Sequence, residues 1–150
     1  MKTLLLLITA SLLFSQIILA DNGLITIKSN YSVKVTTDRL EKILKEKGMT
    51  VFARINHQKN AKKVNKKLRA TQVLIFGNPK AGTPLMKCSQ TLAIDLPQKA
   101  LIYKDVNGQV WLTYNDIKYI AKRHGVKKCE KVIKKIETAL KKFAEAATKK

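Results

Sequence analysis

The sequence predicts an α+β fold of two layers, in which helices lie on a mixed sheet that includes a β-hairpin in the C-terminal half. Three observations carry this. Short runs rich in β-branched and aromatic residues alternate with amphipathic helical stretches up to Phe76. The segment "KALIYKDVNGQVWLTYN" then sets two strands in succession around Asn107-Gly108, where a doubly wound parallel sheet would return to a helix. Two helical stretches, the second strongly amphipathic, close the chain.

The elements follow in order. "GLITIKS" is bounded by Asn22-Gly23 and Asn30 and reads as a first strand. In "VTTDRLEKILKEKG" a Thr or Asp38 caps a helix, Leu40, Ile43 and Leu44 recur at helical spacing, and Gly48 ends it. "MTVFARI" is a second strand. "QKNAKKVNKKL" predicts a thin basic helix, with Ala61, Val64 and Leu68 on one side and Lys59, Lys62, Lys63, Lys66 and Lys67 elsewhere. "TQVLIFG" is the most continuously apolar strand and is placed at the sheet centre or buried on both faces. It runs into "NPKAGTPLM", where Pro79 suits the first turn of a helix while Gly82, Thr83 and Pro84 would interrupt one.

In the hairpin, Leu101, Tyr103, Val110, Leu112 and Tyr114 can occupy packed faces, and Trp111 points away from Val110 and Leu112. Asp116 caps a short helix that stops at Gly125. In the last helix Val132, Ile133, Ile136, Leu140, Phe143 and Ala147 form one stripe, with lysines on the other sides, and "TKK" is expected to fray.

Residues 1–20 read as a signal peptide: Lys2, an apolar run from Leu4 to Leu19, and Ala20 before the polar Asp21. An uncleaved anchor is the alternative, because this stretch reaches the lower edge of a membrane span. Residues 21–150 then form a single domain, exported and periplasmic. The net charge of +20 favours acidic partners, and in an exported protein an anionic small molecule or an acidic envelope surface ranks above nucleic acid.

The two cysteines, Cys88 and Cys129, are expected to pair in an oxidising compartment, closing a loop of about 40 residues and contributing on the order of 4 kcal/mol. A metal or redox pair assisted by His124 is the weaker reading, since no CxxC or HxxxH spacing is present. His57 lies in a polar stretch and reads as solvated. No metal site or cofactor is signalled. Acidic residues look like caps (Asp38, Asp116) or lysine partners (Glu41, Glu46, Glu137, Glu145), and no nucleophile, zinc or phosphate-loop motif occurs, which argues against an enzyme.

The segments "LIFGNPKAGTPLM" and "LAIDLPQKALIYKDVNGQVWLTY", with "KGMTVFARI" after the first helix, resemble the bacterial and archaeal family called domain of unknown function 302. The resemblance covers most of residues 24–145. It implies a compact α+β domain, often dimeric, so a homodimer joins the expected partners, and it implies no established activity.

Function is therefore sought at the break after the third strand. Gly77 allows close backbone approach, Asn78 can cap, and the amino end of the next helix, with Lys80 beside it, offers N–H groups and positive charge to an anion. Gly77, Asn78 and Lys80 are the candidate ligand-binding residues. The expected function is a non-enzymatic periplasmic binding domain for an anionic ligand. Adhesion of basic helices to acidic surfaces is the alternative, and redox or metal chemistry at the cysteine pair the third.

Overall fold

The computed structural model describes residues 22–150, so the signal-peptide expectation lies outside the described residues. Five strands, β1 (Leu24–Ser29), β2 (Thr50–Asn56), β3 (Thr71–Gly77), β4 (Gln98–Lys104) and β5 (Val110–Asn115), form one sheet in the order β1-β5-β4-β3-β2. Five α-helices accompany it among the described residues: α1 (Val33–Glu46), α2 (His57–Lys63), α3 (Pro79–Cys88), α4 (Ile117–Arg123) and α5 (Glu130–Thr148).

Every neighbouring pair is antiparallel, so the sheet is not mixed. The β1-α1-β2 crossover does return the chain in the same direction, as such units do. Here, however, β1 and β2 sit on opposite edges with β5, β4 and β3 between them, so the two never pair. β3 is consequently one strand in from the edge, and β4 holds the centre. Nor is β3 buried on both faces: its residues alternate between buried and partly exposed.

The helices α1 and α5 pack side by side on one face of the sheet. Leu40 and Leu44 of α1 and Leu140, Ala144 and Ala147 of α5 meet Leu74, Phe76, Ile102, Leu112 and Tyr114 there. A second apolar cluster joins Leu85 of α3, Leu92, and Ile117 and Ile120 of α4 to the amino half of α5, through Val132, Ile133 and Ile136. Thus α5 serves both clusters, as its single stripe implies. On the opposite face of the sheet, Ile55, Val73, Ile75, Leu101, Tyr103 and Trp111 remain partly exposed. Leu101 and Tyr103 therefore lie with Trp111, not with Val110, Leu112 and Tyr114.

Local chemistry accounts for the remaining departures. α1 is capped by Ser32, four residues before the first of its Thr residues, and the Ser32 hydroxyl accepts from Val35 N–H at 3.3 Å. Thr36 and Thr37 are buried instead, each hydroxyl donating to a carbonyl one turn back, and Asp38 serves an ion pair with Lys34 and Arg54. α2 stops at Lys63, because Val64 and Leu68, 65 % and 45 % exposed, find no core to hold them in a helix. α3 runs through Gly82, Thr83 and Pro84: its proline is exposed, and buried Leu85 anchors the segment.

The hairpin turn is longer than a two-residue one. Residues 105–109 connect the strands, Gly108 alone takes positive φ (+83°), and the Asp105 carboxylate accepts from the N–H groups of Asn107 and Gln109, both at 2.9 Å. The carboxy end does not fray at Thr148, which is fully buried; Arg39 donates to the carbonyls of Ala146, Ala147 and Lys149, and Asn30 N–H bonds the Thr148 carbonyl. These contacts satisfy carbonyls that a helix end leaves free.

Candidate functional site

Residues 78–97 leave the sheet at the end of β3 and return to it at the start of β4, where Phe76 pairs with Gln98. The excursion contains α3 and a 3₁₀ turn over Gln90–Ile94, and it stands away from the sheet beside α5. Cys88, the last residue of α3, is disulfide-bonded to Cys129, the residue that opens α5, with Cα atoms 6.5 Å apart, within the usual span of such bridges. Both thiols are thereby occupied.

Between α3 and α5 lies a cavity of about 860 Å³, inside the ~300–1,000 Å³ range usual for small-molecule sites. Its walls are largely apolar: Leu85 and Met86 from α3, Ile136, Leu140 and Phe143 from α5, and Met49 and Phe52 from the β2 end. Phe52 stands in a β-bulge between Val51 and Ala53, which turns its ring out of the strand's alternation. Gly77 makes room for that ring, since a Cβ there would lie 3.3 Å from Phe52 Cε2.

Four lysines, Lys47, Lys80, Lys131 and Lys135, line the cavity, all are exposed, and no Asp or Glu lines it. None of the four takes part in an ion pair among the described residues, unlike Lys34, Lys42, Lys45, Lys118, Lys134 and Lys149. Gln98 also lines the cavity; it is only 5 % exposed, and its Nε2 and Oε1 have no hydrogen-bond partner in the protein. A buried carboxamide left without partners is costly, so such groups call for a ligand or water to satisfy them.

The sequence-predicted residues Gly77, Asn78 and Lys80 all line this cavity. Asn78 caps α3, its Oδ1 accepting from Lys80 N–H at 2.9 Å, and its Nδ2 donates to the Gly48 carbonyl at 3.0 Å. The N–H groups of Ala81 and Gly82 both reach the Asn78 carbonyl at 2.9 Å. The amino end of α3 therefore has these amides already engaged, and what it offers an anion is the Lys80 ammonium. Asn78 positions that end against the α1–β2 turn.

Lys59, Lys62, Lys63, Lys66 and Lys67 are exposed and lie away from the cavity, at the opposite end of the sheet. The register shows this: Thr50 of β2 pairs with Gly77 beside the cavity, whereas Asn56, which leads into α2, pairs with Gln72. Sequence reasoning missed Gln98, Lys47, Lys131 and Lys135 as site residues. Gln98 could have been flagged, because it is a polar residue opposite the inward-facing Phe76, while the lysines look like any solvated helix face.

His124 joins a polar cluster rather than the cysteines. Its Nε2 lies 2.7 Å from Asp95 Oδ2 and its Nδ1 3.0 Å from Thr91 Oγ1, while Arg123 pairs with the same carboxylate. These bonds tie the 3₁₀ turn to the end of α4. No group of three His, Cys, Asp or Glu residues that could hold a metal ion occurs among the described residues.

Residues 25–143 match the family described as "Domain of unknown function DUF302". Curated relatives include "Fluoride-specific ion channel FluC 1" of Brucella suis biovar 1 and of Brucella abortus biovar 1. Each is 43 % identical over 106 residues, which is 71 % of this chain but 42 % and 39 % of those proteins. The chain thus spans about two fifths of the length of the curated relatives it matches. Among solved structures, the crystal structure of an uncharacterized conserved protein DUF302 from Bacillus stearothermophilus superposes with a TM-score of 0.76 at 16 % identity, covering 84 % of this chain and 98 % of that one. At that identity the likeness concerns the fold.

Proposed function

This chain belongs to the DUF302 family, and we propose that it is a non-enzymatic, exported binding domain whose cavity between α3 and α5 takes an anionic ligand. One observation carries the reading: four lysines without ion-pair partners converge on a cavity that no carboxylate lines. Lys87 of α3 and Lys141 and Lys142 of α5 are also outside every ion pair among the described residues, so what sets the cavity apart is that four such lysines line one space with no carboxylate in its walls. Its apolar walls lower the effective dielectric there and strengthen attraction for an anion.

The Brucella relatives are named as fluoride-specific ion channels. A match of 106 residues falls mostly on the described domain, and no helix among the described residues is long and apolar enough to cross a membrane. We read the shared portion as one that accompanies a pore. The apolar walls favour an anion larger than fluoride.

The test is calorimetric titration of the full chain with an anion series of increasing size, repeated on Lys80→Ala and Lys135→Ala. Saturable binding at one site per chain is expected, weakened roughly tenfold or more by loss of a charge-assisted contact. A second reading, adhesion to acidic envelope surfaces, draws on the exposed Lys59, Lys62, Lys63, Lys66 and Lys67 at the far end of the sheet. It predicts non-saturable adsorption that falls steeply with salt and is insensitive to Lys80→Ala.

A further inference from the structure

Resting on the anion-binding reading, we propose that the ligand is a single-chain amphiphile, a long-chain carboxylate whose head meets Gln98 and the lysines while its tail fills the space between α3 and α5. A small hydrophilic anion explains the lysines but not the walls. Met49, Leu85, Met86, Ile136, Leu140 and Phe143 supply an apolar lining along several turns of α5, and a hydrated ion would leave that lining wet. A purely apolar ligand explains the walls but leaves the Gln98 carboxamide unsatisfied.

An amphiphile answers both. A carboxylate oxygen accepts from Gln98 Nε2, and Oε1 accepts a hydrogen bond from a water or hydroxyl carried in with the head. Lys47, Lys80, Lys131 and Lys135 neutralise the charge. The side chains that shape the space are adaptable ones: two methionines can repack around chains of different length. The Cys88–Cys129 bridge holds the two walls together at one end, so tail length is set by how far the opening between α3 and α5 extends from it.

The experiment titrates the full chain with hexanoate, decanoate and dodecanoate below their micelle concentrations, with acetate and phosphate as short anions and dodecanol as the uncharged match. Affinity is expected to rise about fourfold per added methylene from hexanoate upward, the factor that burying one such group provides. Dodecanol should bind at least tenfold more weakly than dodecanoate. Gln98→Leu, which removes an unsatisfied buried amide, should fold at least as stably as the native chain yet lose at least tenfold in dodecanoate affinity. If acetate or phosphate binds as tightly as dodecanoate, the amphiphile is overturned and the anion site stands. If dodecanol equals dodecanoate, or none of the probes binds, both fall.

Discussion

Trp111 donates its indole N–H to Asp105 Oδ2 at 2.7 Å, linking β5 to the turn that precedes it. That bond is the foremost cause holding the Asp105 carboxyl below its ordinary value of 3.8; burial opposes it, and the N–H groups of Gln109 and Asn107 reinforce it. Trp111 is the only tryptophan, so its fluorescence reports the pair. The emission should change with a midpoint below pH 3.8, and Trp111→Phe should raise the Asp105 midpoint, as followed by carboxyl NMR. The sign follows from linkage: the contribution to stability is present above the unfolded value and is lost as pH falls through the lower folded one.

Tyr114 gives the opposite limb. Its phenol is pushed up to about 12, by burial first and then by Asp116, Glu145 and Glu137. The folded protein keeps the neutral phenol while the unfolded chain ionises near 10.0, so this contribution is intact below pH 10.0 and disappears between there and about 12. Urea unfolding across that interval should show stability falling with pH, and Tyr114→Phe should flatten the slope.

Asn78→Ala removes both a helix cap and the bond to the Gly48 carbonyl. We expect a loss of about 2 kcal/mol in denaturant unfolding, roughly 1 from each. Lys80→Ala should change stability by less than about 0.5 kcal/mol, since its ammonium is exposed and unpaired. A comparable loss in both variants would show that Lys80 is structural.

The Cys88–Cys129 bridge spans 41 positions. Its removal by Cys88→Ala with Cys129→Ala should cost roughly 3–4 kcal/mol. The oxidised protein, denatured, should take up no alkylating reagent until it is reduced.

Under the proposal that residues 1–20 are a signal peptide, the mature chain should begin at Asp21, where apolar sequence gives way to polar. Amino-terminal sequencing that returns Met1 would overturn the cleavage reading.

Strands and most helices were legible because their signals are local: alternation in "TQVLIFG", the stripe of α5, the Asp116 cap. Two kinds of feature were not. Strand order depends on partners far apart in sequence, and Leu24 pairs with Asn115, a relation that no local window contains. Helix extent depends on what lies above the helix: Val64 and Leu68 have the right spacing but nothing to pack against, whereas Thr148 opens a polar tail yet is buried, its carbonyl accepting from Asn30 N–H. At the site, Gly77, Asn78 and Lys80 were found through turn chemistry. Gln98 and the α5 lysines reach the same cavity only because α3 folds back against α5.

The edge position of β1 bears on the order of synthesis. β1, the first strand among the described residues, finds its partner in residues 110–115, and α1 is clamped by carbonyls of residues 146, 147 and 149. Until residues 110–149 are made, residues 24–46 have neither the neighbour strand nor the helix that hold them in the finished domain. Closure of this kind is governed by distant contacts and is correspondingly slow. A domain that closes this late leaves residues 24–46 without their sheet partner for most of its synthesis.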